Sequence, residues 1–186
     1  MARLLLFHHV QGLTPGVRAF ADRLRAGGHE VTTPDLFGGR TFASIEEGME
    51  YGDAHQDKAV QMAKAAAAVL GPGFAVGGIS YGVVPAQTLA QQHDGVRAAV
   101  LIDGGLKTEW FGGAWRPGVA LQIHICADDP WAERPMPDDL AAEAGGELNL
   151  YPGAAHLSVD ASLPSYDETI TAQVVERTIA FLDALG

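Results

Sequence analysis

The sequence is 186 residues long, enough for one domain with a substantial buried core, and its 47% hydrophobic and 19% charged residues are typical of a globular protein. Its formal net charge of −11 would repel a phosphate backbone, which argues against nucleic acid as a partner. A single cysteine excludes an internal disulfide, and the apolar run before His8 is too short for a signal peptide or a membrane span, so we expect a cytoplasmic protein with no membrane partner.

Strands alternate with helices in the first half of the sequence. The apolar run that begins at Arg3 is typical of a strand buried on both faces, and Pro15 suits the first turn of a helix. Ser44 opens a capping-box pattern, which marks a helix start. The predicted elements are a strand over 3–8, a helix from 15 to Gly27, a strand over 30–33, a helical stretch from 44 and a second, alanine-rich helix over about 54–70.

The second half continues this alternation. Its predicted elements are an apolar strand from 74, a helix over 83–92, a strand over 96–102, an irregular aromatic segment over 107–118, a strand over 119–126, a helix over 136–144 and a strand over 147–151. Ser165 opens a second capping box before a C-terminal helix whose apolar face carries Ile170, Val174, Phe181, Leu182 and Leu185. The pattern predicts a single α/β domain over 1–186, with a mostly parallel sheet covered by helices on both faces.

The segment Gly78-Ile79-Ser80-Tyr81-Gly82 has the pattern G-x-S-x-G and stands between an apolar strand and a helix. In a nucleophile elbow, a serine occupies a sharp strand-to-helix turn that brings the positions two before and two after it close together. Side chains at these two positions would collide, and both positions are glycine here. The pattern also fits an ordinary strand–turn–helix junction, so its meaning depends on the partners of Ser80.

Four polar segments directly follow predicted strands: His8–His9, Ser80, Asp128–Asp129 and the loop that contains His156. Ligands of open α/β sheets bind beyond the carboxyl ends of the strands, so we expect these segments to meet at one edge. A serine hydroxyl needs a histidine to remove its proton, and a carboxylate to hold that histidine's tautomer. Pro130 favours an extended Asp129, so we expect Asp129 to reach His156 and Asp128 to cap the turn or face solvent.

These features resemble the dienelactone hydrolase family of the α/β-hydrolase superfamily. The similarity covers nearly the whole chain, and its segments are the first strand with Gly12–Leu13, Pro34–Leu36, the Ser80 turn, Asp129–Pro130 and Tyr151–His156. The resemblance implies Ser80 as nucleophile, Asp129 as acid and His156 as base. It also implies an oxyanion hole from the backbone amides of Val10 and Tyr81, and no lid domain.

The sequence departs from the family pattern at three positions. Members that act on dienelactone have a cysteine where this chain has Ser80, and many have a glutamate where it has His9. The arginine that binds the substrate carboxylate in those members is replaced by Asp160. We therefore expect carboxylated lactones to be poor substrates. Arg40, in an earlier loop, is a candidate replacement, although an exposed loop arginine is the commoner explanation.

Several side chains in loops at the strand ends are candidates for contacts with a substrate. They are His9, Gln11, Arg40, Trp110, Trp115 and Trp131. His9 is a candidate pocket wall or proton donor. Neighbouring histidines point in opposite directions along a strand, and no zinc motif accompanies His8–His9, so we expect no metal. Cys126 is interpreted as a small buried strand residue.

The sequence therefore predicts a serine hydrolase that cleaves an ester or lactone of a small, partly apolar molecule without a cofactor. One alternative is a non-hydrolytic enzyme, such as a cyclase, isomerase or acyl transferase, which uses the same pocket with another acceptor or with His9 as acid. A second alternative is a non-catalytic protein that binds a small molecule. The sequence does not decide between a monomer and a homodimer.

Overall fold

The computed structural model describes residues 1–185, so Gly186, the last residue of the predicted domain, lies outside the described part. One parallel sheet has the order β2-β1-β3-β4-β5-β6. Its strands are β1 (Arg3–Phe7), β2 (Glu30–Thr32), β3 (Phe74–Ile79), β4 (Val96–Ile102), β5 (Ala120–Cys126) and β6 (Glu147–Tyr151). The helices are α1 (Pro15–Ala26), α2 (Ile45–Ala68), α3 (Val83–Gln92), α4 (Met136–Ala144) and α5 (Glu168–Asp183).

Helices cover both faces of this sheet, as the sequence predicted. Alternate residues of β1 enter opposite cores: Leu4 and Leu6 face one helical layer, and Leu5 and Phe7 face the other. The first layer consists of α1 and α5, and the second of α2, α3 and α4. Full burial of each such side chain contributes roughly 1.5–3 kcal/mol, which explains why the central strands read as continuous apolar runs.

Helix α2 differs from the prediction, because the expected break near residue 54 is absent and one helix of 24 residues runs from Ile45 to Ala68. Glycines lower helix propensity, but two of them are used here for packing. A Cβ atom on Gly48 would lie 2.3 Å from the carbonyl oxygen of Val10, and one on Gly52 would lie 3.0 Å from the Tyr81 ring. The close packing of these two glycines against Val10 and Tyr81 therefore offsets their low helix propensity.

The predicted capping boxes have different outcomes. Ser44 caps α2, with its hydroxyl accepting the Glu47 N–H at 3.2 Å, as expected. Ser165 does not cap α5, so that prediction was wrong. The cap is Asp167, whose Oδ1 accepts the Ile170 N–H at 2.9 Å. Asp167 directly precedes the helix, two residues after Ser165, so its carboxylate can accept hydrogen bonds from the free N–H groups of the first turn.

The reversal of strand order lies between β1 and β3, which are direct neighbours and pair Phe7 with Gly78. This point is the usual ligand-binding crevice of a doubly wound sheet. The chain leaves β1 toward Val10 and leaves β3 at Ser80, so both segments open into this crevice. Within residues 1–185, no helix has the length and apolar character required to cross a membrane.

Candidate active site

Ser80 lies in a strained turn between β3 and a short 3₁₀ helix, Ser80–Gly82, that continues into α3. Its φ of 50° is in the left-handed region, which is uncommon for serine. The flanking glycines are required: a Cβ on Gly78 would lie 2.1 Å from the Gly82 carbonyl oxygen, and one on Gly82 would lie 2.4 Å from the Phe7 carbonyl oxygen. Side chains at these two positions would therefore collide, as expected from the sequence, and glycine avoids the collision. The backbone strain at Ser80 marks a candidate functional position.

Ser80, His156 and Asp129 form a continuous chain of hydrogen bonds. The Nε2 atom of His156 lies 2.9 Å from Ser80 Oγ, and its Nδ1 atom lies 2.7 Å from Asp129 Oδ2. An ionised Asp129 requires the proton on Nδ1, which leaves Nε2 free to accept the hydroxyl proton of Ser80. Both His156 and Asp129 are buried, so little water competes for these contacts.

The neighbouring carboxylates Asp128 and Asp129 have different environments, as the sequence predicted. Asp129 is 8% exposed, and its second oxygen, Oδ1, accepts the Trp131 N–H at 2.9 Å. Asp128 is exposed, and its backbone N–H donates to the Gly153 carbonyl oxygen at 3.0 Å. The turn after β5 therefore directs only Asp129 toward His156.

The backbone amides of Val10 and Tyr81 lie at the two segments that leave β1 and β3 for the crevice. Tyr81 is in the first turn of the 3₁₀ helix, where an N–H group has no intrahelical acceptor. Within the described residues, the Val10 N–H has no hydrogen-bond acceptor. Gly48 of α2 packs directly against the Val10 carbonyl and holds this loop in position. Both amides are thus free to bind an oxygen.

His9 does not line a pocket, so its predicted role as a substrate contact was wrong. The side chain is fully buried, and its Nε2 lies 2.7 Å from Asp160 Oδ2. Its Nδ1 accepts the Gln11 N–H at 3.2 Å, which places the proton on Nε2. Both ring nitrogens are therefore engaged away from any substrate, and His9 anchors the Val10 loop.

Asp160, the hydrogen-bond partner of His9, is also fully buried, and the sequence alone did not predict this pairing. Burial opposes its ionisation, but hydrogen bonds from His9, Ser162 and Thr14 outweigh burial and lower the pKa of Asp160 to about 2. Gly16 makes room for this carboxylate, since a Cβ there would lie 1.6 Å from Asp160 Oδ1. Asp160 therefore ties α1 to the loop after His156 and lines neither space at the site.

The three candidate tryptophans have three different positions. Trp131 lies beside the His156 ring, with 6.1 Å between ring centroids, and its contact with a substrate stays a prediction. Trp115 is 6% exposed, and its indole N–H donates to the Val119 carbonyl oxygen at 2.8 Å, so it is a core residue. Trp110 is 61% exposed and lines neither space beside Ser80 or His156. The predicted pocket roles of Trp110 and Trp115 were therefore wrong.

Of the other two candidates, only Gln11 is near the site. It lines the space beside His156, and its side-chain amide donates to the Phe42 carbonyl oxygen at 3.1 Å. Arg40 is exposed, with its guanidinium 5.4 Å from the centroid of the Tyr51 ring. Its predicted contact with the substrate was wrong, because Arg40 lines neither space at the site.

Two spaces adjoin the chain of hydrogen bonds, and Trp131 borders both. The first, which we call the His156 groove, has a volume of about 390 Å³ and lies between Ser44–Glu46, Trp131, Ala154–Leu157 and Leu163–Ser165. The second, which we call the Ser80 cavity, has a volume of about 190 Å³ and lies between Ser80–Tyr81, Val83–Val84, Asp103–Leu106, Trp131–Glu133 and Met136. A substrate can therefore extend to either side of the serine hydroxyl.

Sequence reasoning missed Asp103, which follows β4 and borders the Ser80 cavity. Its Oδ2 accepts the Leu157 N–H at 2.9 Å and so holds the residue after His156. Burial raises the pKa of Asp103 to about 7; the charge of Asp129 adds to this rise, whereas His156 and the Leu157 N–H oppose it. Its position at the carboxyl end of a central strand was the available signal.

Ligand atoms of Asp103, Asp129 and His156 lie within 4.8 Å of one another, which is close enough to hold a metal ion. However, His156 and Asp129 are already bonded to each other, and the other imidazole nitrogen faces Ser80. His8, the other candidate ligand in the sequence, is fully buried, accepts the Leu36 N–H at 3.0 Å and donates to the His9 carbonyl oxygen at 2.8 Å. These donors are thus committed to protein partners.

A parallel sheet with the nucleophile elbow after β3 and the Ser–Asp–His order along the chain together define the α/β-hydrolase fold. No protein-family model matches the sequence, and a search of curated proteins finds no match. Solved structures do match over the whole chain, and the similar proteins include dienelactone hydrolase-like enzymes.

One of these is a dienelactone hydrolase-like promiscuous phosphotriesterase from metagenomic libraries, with 24% identity, a TM-score of 0.79, and coverage of 100% of this chain and 87% of its own. A proposed dienelactone hydrolase from Klebsiella pneumoniae has 17% identity, a TM-score of 0.76, and coverage of 98% and 87%. A proposed α/β-superfamily hydrolase from Xanthomonas campestris has 16% identity, a TM-score of 0.67, and coverage of 99% of both chains. The fold is thus that of dienelactone hydrolase-like proteins.

Proposed function

We propose that this protein is a serine hydrolase that cleaves a carboxylic ester or lactone of a small molecule. The observation that carries the proposal is the hydrogen-bonded series from Ser80 through His156 to Asp129, with distances of 2.9 and 2.7 Å. A nucleophile, a base and an orienting carboxylate within hydrogen-bond reach are the requirements for acyl transfer through a covalent intermediate.

In the proposed reaction, Ser80 Oγ attacks the substrate carbonyl carbon while His156 Nε2 takes the hydroxyl proton. Asp129 stabilises the imidazolium through its bond to Nδ1. The carbonyl oxygen becomes an oxyanion, which accepts hydrogen bonds from the free Val10 and Tyr81 amides. His156 then gives its proton to the leaving oxygen, and the bond between the carbonyl carbon and that oxygen breaks.

Water completes the cycle. His156 takes one proton from the water molecule, the resulting hydroxide attacks the acyl carbon, and the bond to Ser80 Oγ breaks as the serine recovers its proton. The acid product leaves with the free serine restored. Every proton in both halves passes through one atom, His156 Nε2, so the protein's own groups are sufficient for this reaction.

The resemblance to dienelactone hydrolase-like proteins, including a promiscuous phosphotriesterase, supports a hydrolytic role over the two alternatives. One form of the non-hydrolytic alternative uses His9 as an acid, and His9 is buried against Asp160. The other form, with a different acceptor, shares the acylation of Ser80 and differs only in what then attacks the acyl group. A protein that only binds small molecules would have no need for a strained serine beside a tautomer-fixed histidine.

The test combines covalent labelling with kinetics. A fluorophosphonate probe should label native protein at Ser80, and peptide mass spectrometry locates the adduct. Urea-unfolded protein is the control, because unfolding separates Ser80 from His156 and should abolish labelling. 4-Nitrophenyl acetate then serves as a substrate for the wild type and for Ser80→Ala. An unlabelled Ser80, together with equal turnover by the two proteins, would overturn the proposal.

A further inference from the structure

The two spaces beside the serine differ in size and in charge. The Ser80 cavity has about half the volume of the His156 groove, at about 190 Å³ against about 390 Å³. Asp103 forms part of the cavity wall and Glu133 lies at its exposed rim. Among the described residues that line the cavity there is no lysine, arginine or histidine. The two ends of a substrate that spans both spaces therefore lie in surroundings of different size and charge.

We infer that the Ser80 cavity receives the acyl part of the ester, that the His156 groove receives the alcohol part, and that the cavity rejects acyl groups bearing a carboxylate. The preferred substrate class is then an ester of a small, uncharged acid with a bulkier alcohol. This inference rests on the proposed function and adds the orientation and the charge of the substrate.

The orientation follows from the path of the proton. The leaving oxygen must lie at His156 Nε2 to receive the proton, so the alcohol part continues along the His156 side, where the groove opens. The oxyanion is bound at the Val10 and Tyr81 amides. The fourth substituent of the tetrahedral carbon, the acyl chain, is left with the space lined by Ser80, Tyr81 and Val84.

The charge preference follows from Asp103. This side chain is 4% exposed, so above its raised pKa of about 7 water screens its negative charge poorly. Its Oδ2 accepts the Leu157 N–H, whereas Oδ1 accepts no hydrogen bond from any residue in 1–185. A substrate carboxylate in this cavity would lose its hydration and lie near the carboxylates of Asp103 and Glu133. The described lining residues include no cationic side chain that would offset the repulsion. A neutral donor, such as an amide or hydroxyl, would instead have an acceptor available at Asp103.

Two matched substrate pairs test the two parts of the inference. The isomers 2-naphthylmethyl acetate and methyl 2-naphthylacetate carry the same bulk on the alcohol and on the acyl side, respectively. The acetate should be the better substrate, by at least about tenfold in kcat/KM, which corresponds to about 1.4 kcal/mol. Mono(4-nitrophenyl) glutarate and its amide, 4-nitrophenyl glutaramate, have nearly the same size and shape, but the first ends in a carboxylate and the second in a neutral amide that can donate a hydrogen bond. At pH 8, where Asp103 is ionised, the amide should again be favoured by about tenfold or more.

Asp103→Asn, which keeps an acceptor for the Leu157 N–H, should narrow the preference for the amide by about fivefold. Glu133→Gln should narrow it less, because its carboxylate lies at the exposed rim. Asp128→Asn removes an equal charge outside both spaces and should leave the ratio unchanged. If Asp103→Asn does not fold, the wild-type ratio and the Glu133→Gln variant still test the charge preference.

The outcomes separate this inference from the proposed function. Absence of Ser80-dependent turnover with every ester would overturn the proposed function itself. Ser80-dependent turnover with equal or faster cleavage of the glutarate would overturn the charge preference and leave the hydrolase intact. Faster cleavage of methyl 2-naphthylacetate would reverse the orientation, placing the acyl group in the His156 groove.

Discussion

The carboxylate of Asp160 and the imidazole of His9 form a fully buried pair, with 2.7 Å between Asp160 Oδ2 and His9 Nε2. The residues are 151 positions apart in the chain. The pair joins the loop after β1, which carries the Val10 amide, to the segment that follows His156. It therefore links the proposed oxyanion site to the proposed base without touching either substrate space.

Asp160→Asn should lower the free energy of unfolding by about 3 kcal/mol at pH 7, because it removes one partner of a buried, hydrogen-bonded pair. The folded-state pKa of Asp160, about 2, lies below its ordinary value of 3.8. The stabilisation is thus complete above pH 4 and is lost as the pH falls through about 2. Urea denaturation of the wild type and variant at pH 7 and pH 3 measures the difference, which should shrink at the lower pH.

Asp160→Arg should unfold the protein rather than create a site for a substrate carboxylate, since a Cβ at neighbouring Gly16 would already lie 1.6 Å from Asp160 Oδ1. Circular dichroism and urea denaturation test this directly. A stable Asp160→Arg protein with improved turnover of carboxylated lactones would show that position 160 reaches the substrate after all.

Asp129→Asn should reduce turnover of 4-nitrophenyl acetate by about four orders of magnitude, the size of the effect in serine proteases whose histidine loses its orienting carboxylate. Asp128→Asn is the matched control and should change turnover by less than about twofold. Stopped-flow and steady-state kinetics at pH 8 measure both. Comparable losses in the two variants would remove Asp129 from its proposed role.

Gly78→Ala should destabilise the protein by about 3 kcal/mol or prevent folding, because the added methyl would lie 2.1 Å from the Gly82 carbonyl oxygen. Gly71→Ala is a suitable control: its φ is also positive, at 65°, but a Cβ there meets nothing within 4 Å. The control should cost only about 1 kcal/mol. Equal melting temperatures for the two variants would argue against a close-packed elbow.

Asp103→Asn should stabilise the protein at pH 8 and have little effect at pH 4. The folded-state pKa of Asp103, about 7, lies above its ordinary value of 3.8, mainly because of burial. Its ionisation therefore costs stability as the pH rises from 4 to 7, and the cost stays constant above pH 7. The titratable groups near Asp103 are His156, Asp129 and Cys126.

Asparagine cannot ionise, so the gain at pH 8 should be roughly 2–4 kcal/mol. Urea denaturation across pH 4–8 measures it, with Asp128→Asn as an exposed control that should follow the wild type. A variant that loses stability uniformly over this range would indicate that the Leu157 contact, rather than the charge, dominates at Asp103.

The sequence by itself determined the order of the elements and the turns that carry Ser80, Asp129 and His156. These features are local: apolar runs, glycines around a sharp turn, and a proline that extends the preceding residue all act within a few positions of the chain. Such signals predicted β4 over Val96–Ile102 and α4 over Met136–Ala144 at their observed bounds. They also separated Asp129 from Asp128.

Only the tertiary structure decided which polar and aromatic side chains face a substrate. His9 and Asp160 are buried partners, Trp115 is in the core, and Asp103 borders the Ser80 cavity. The physical reason is that burial depends on which distant segments pack together, whereas a loop sequence specifies only the residues that come directly after a strand. A charged side chain can be stable in the interior when partners from remote positions satisfy it, and those partners become neighbours only when the sheet has formed.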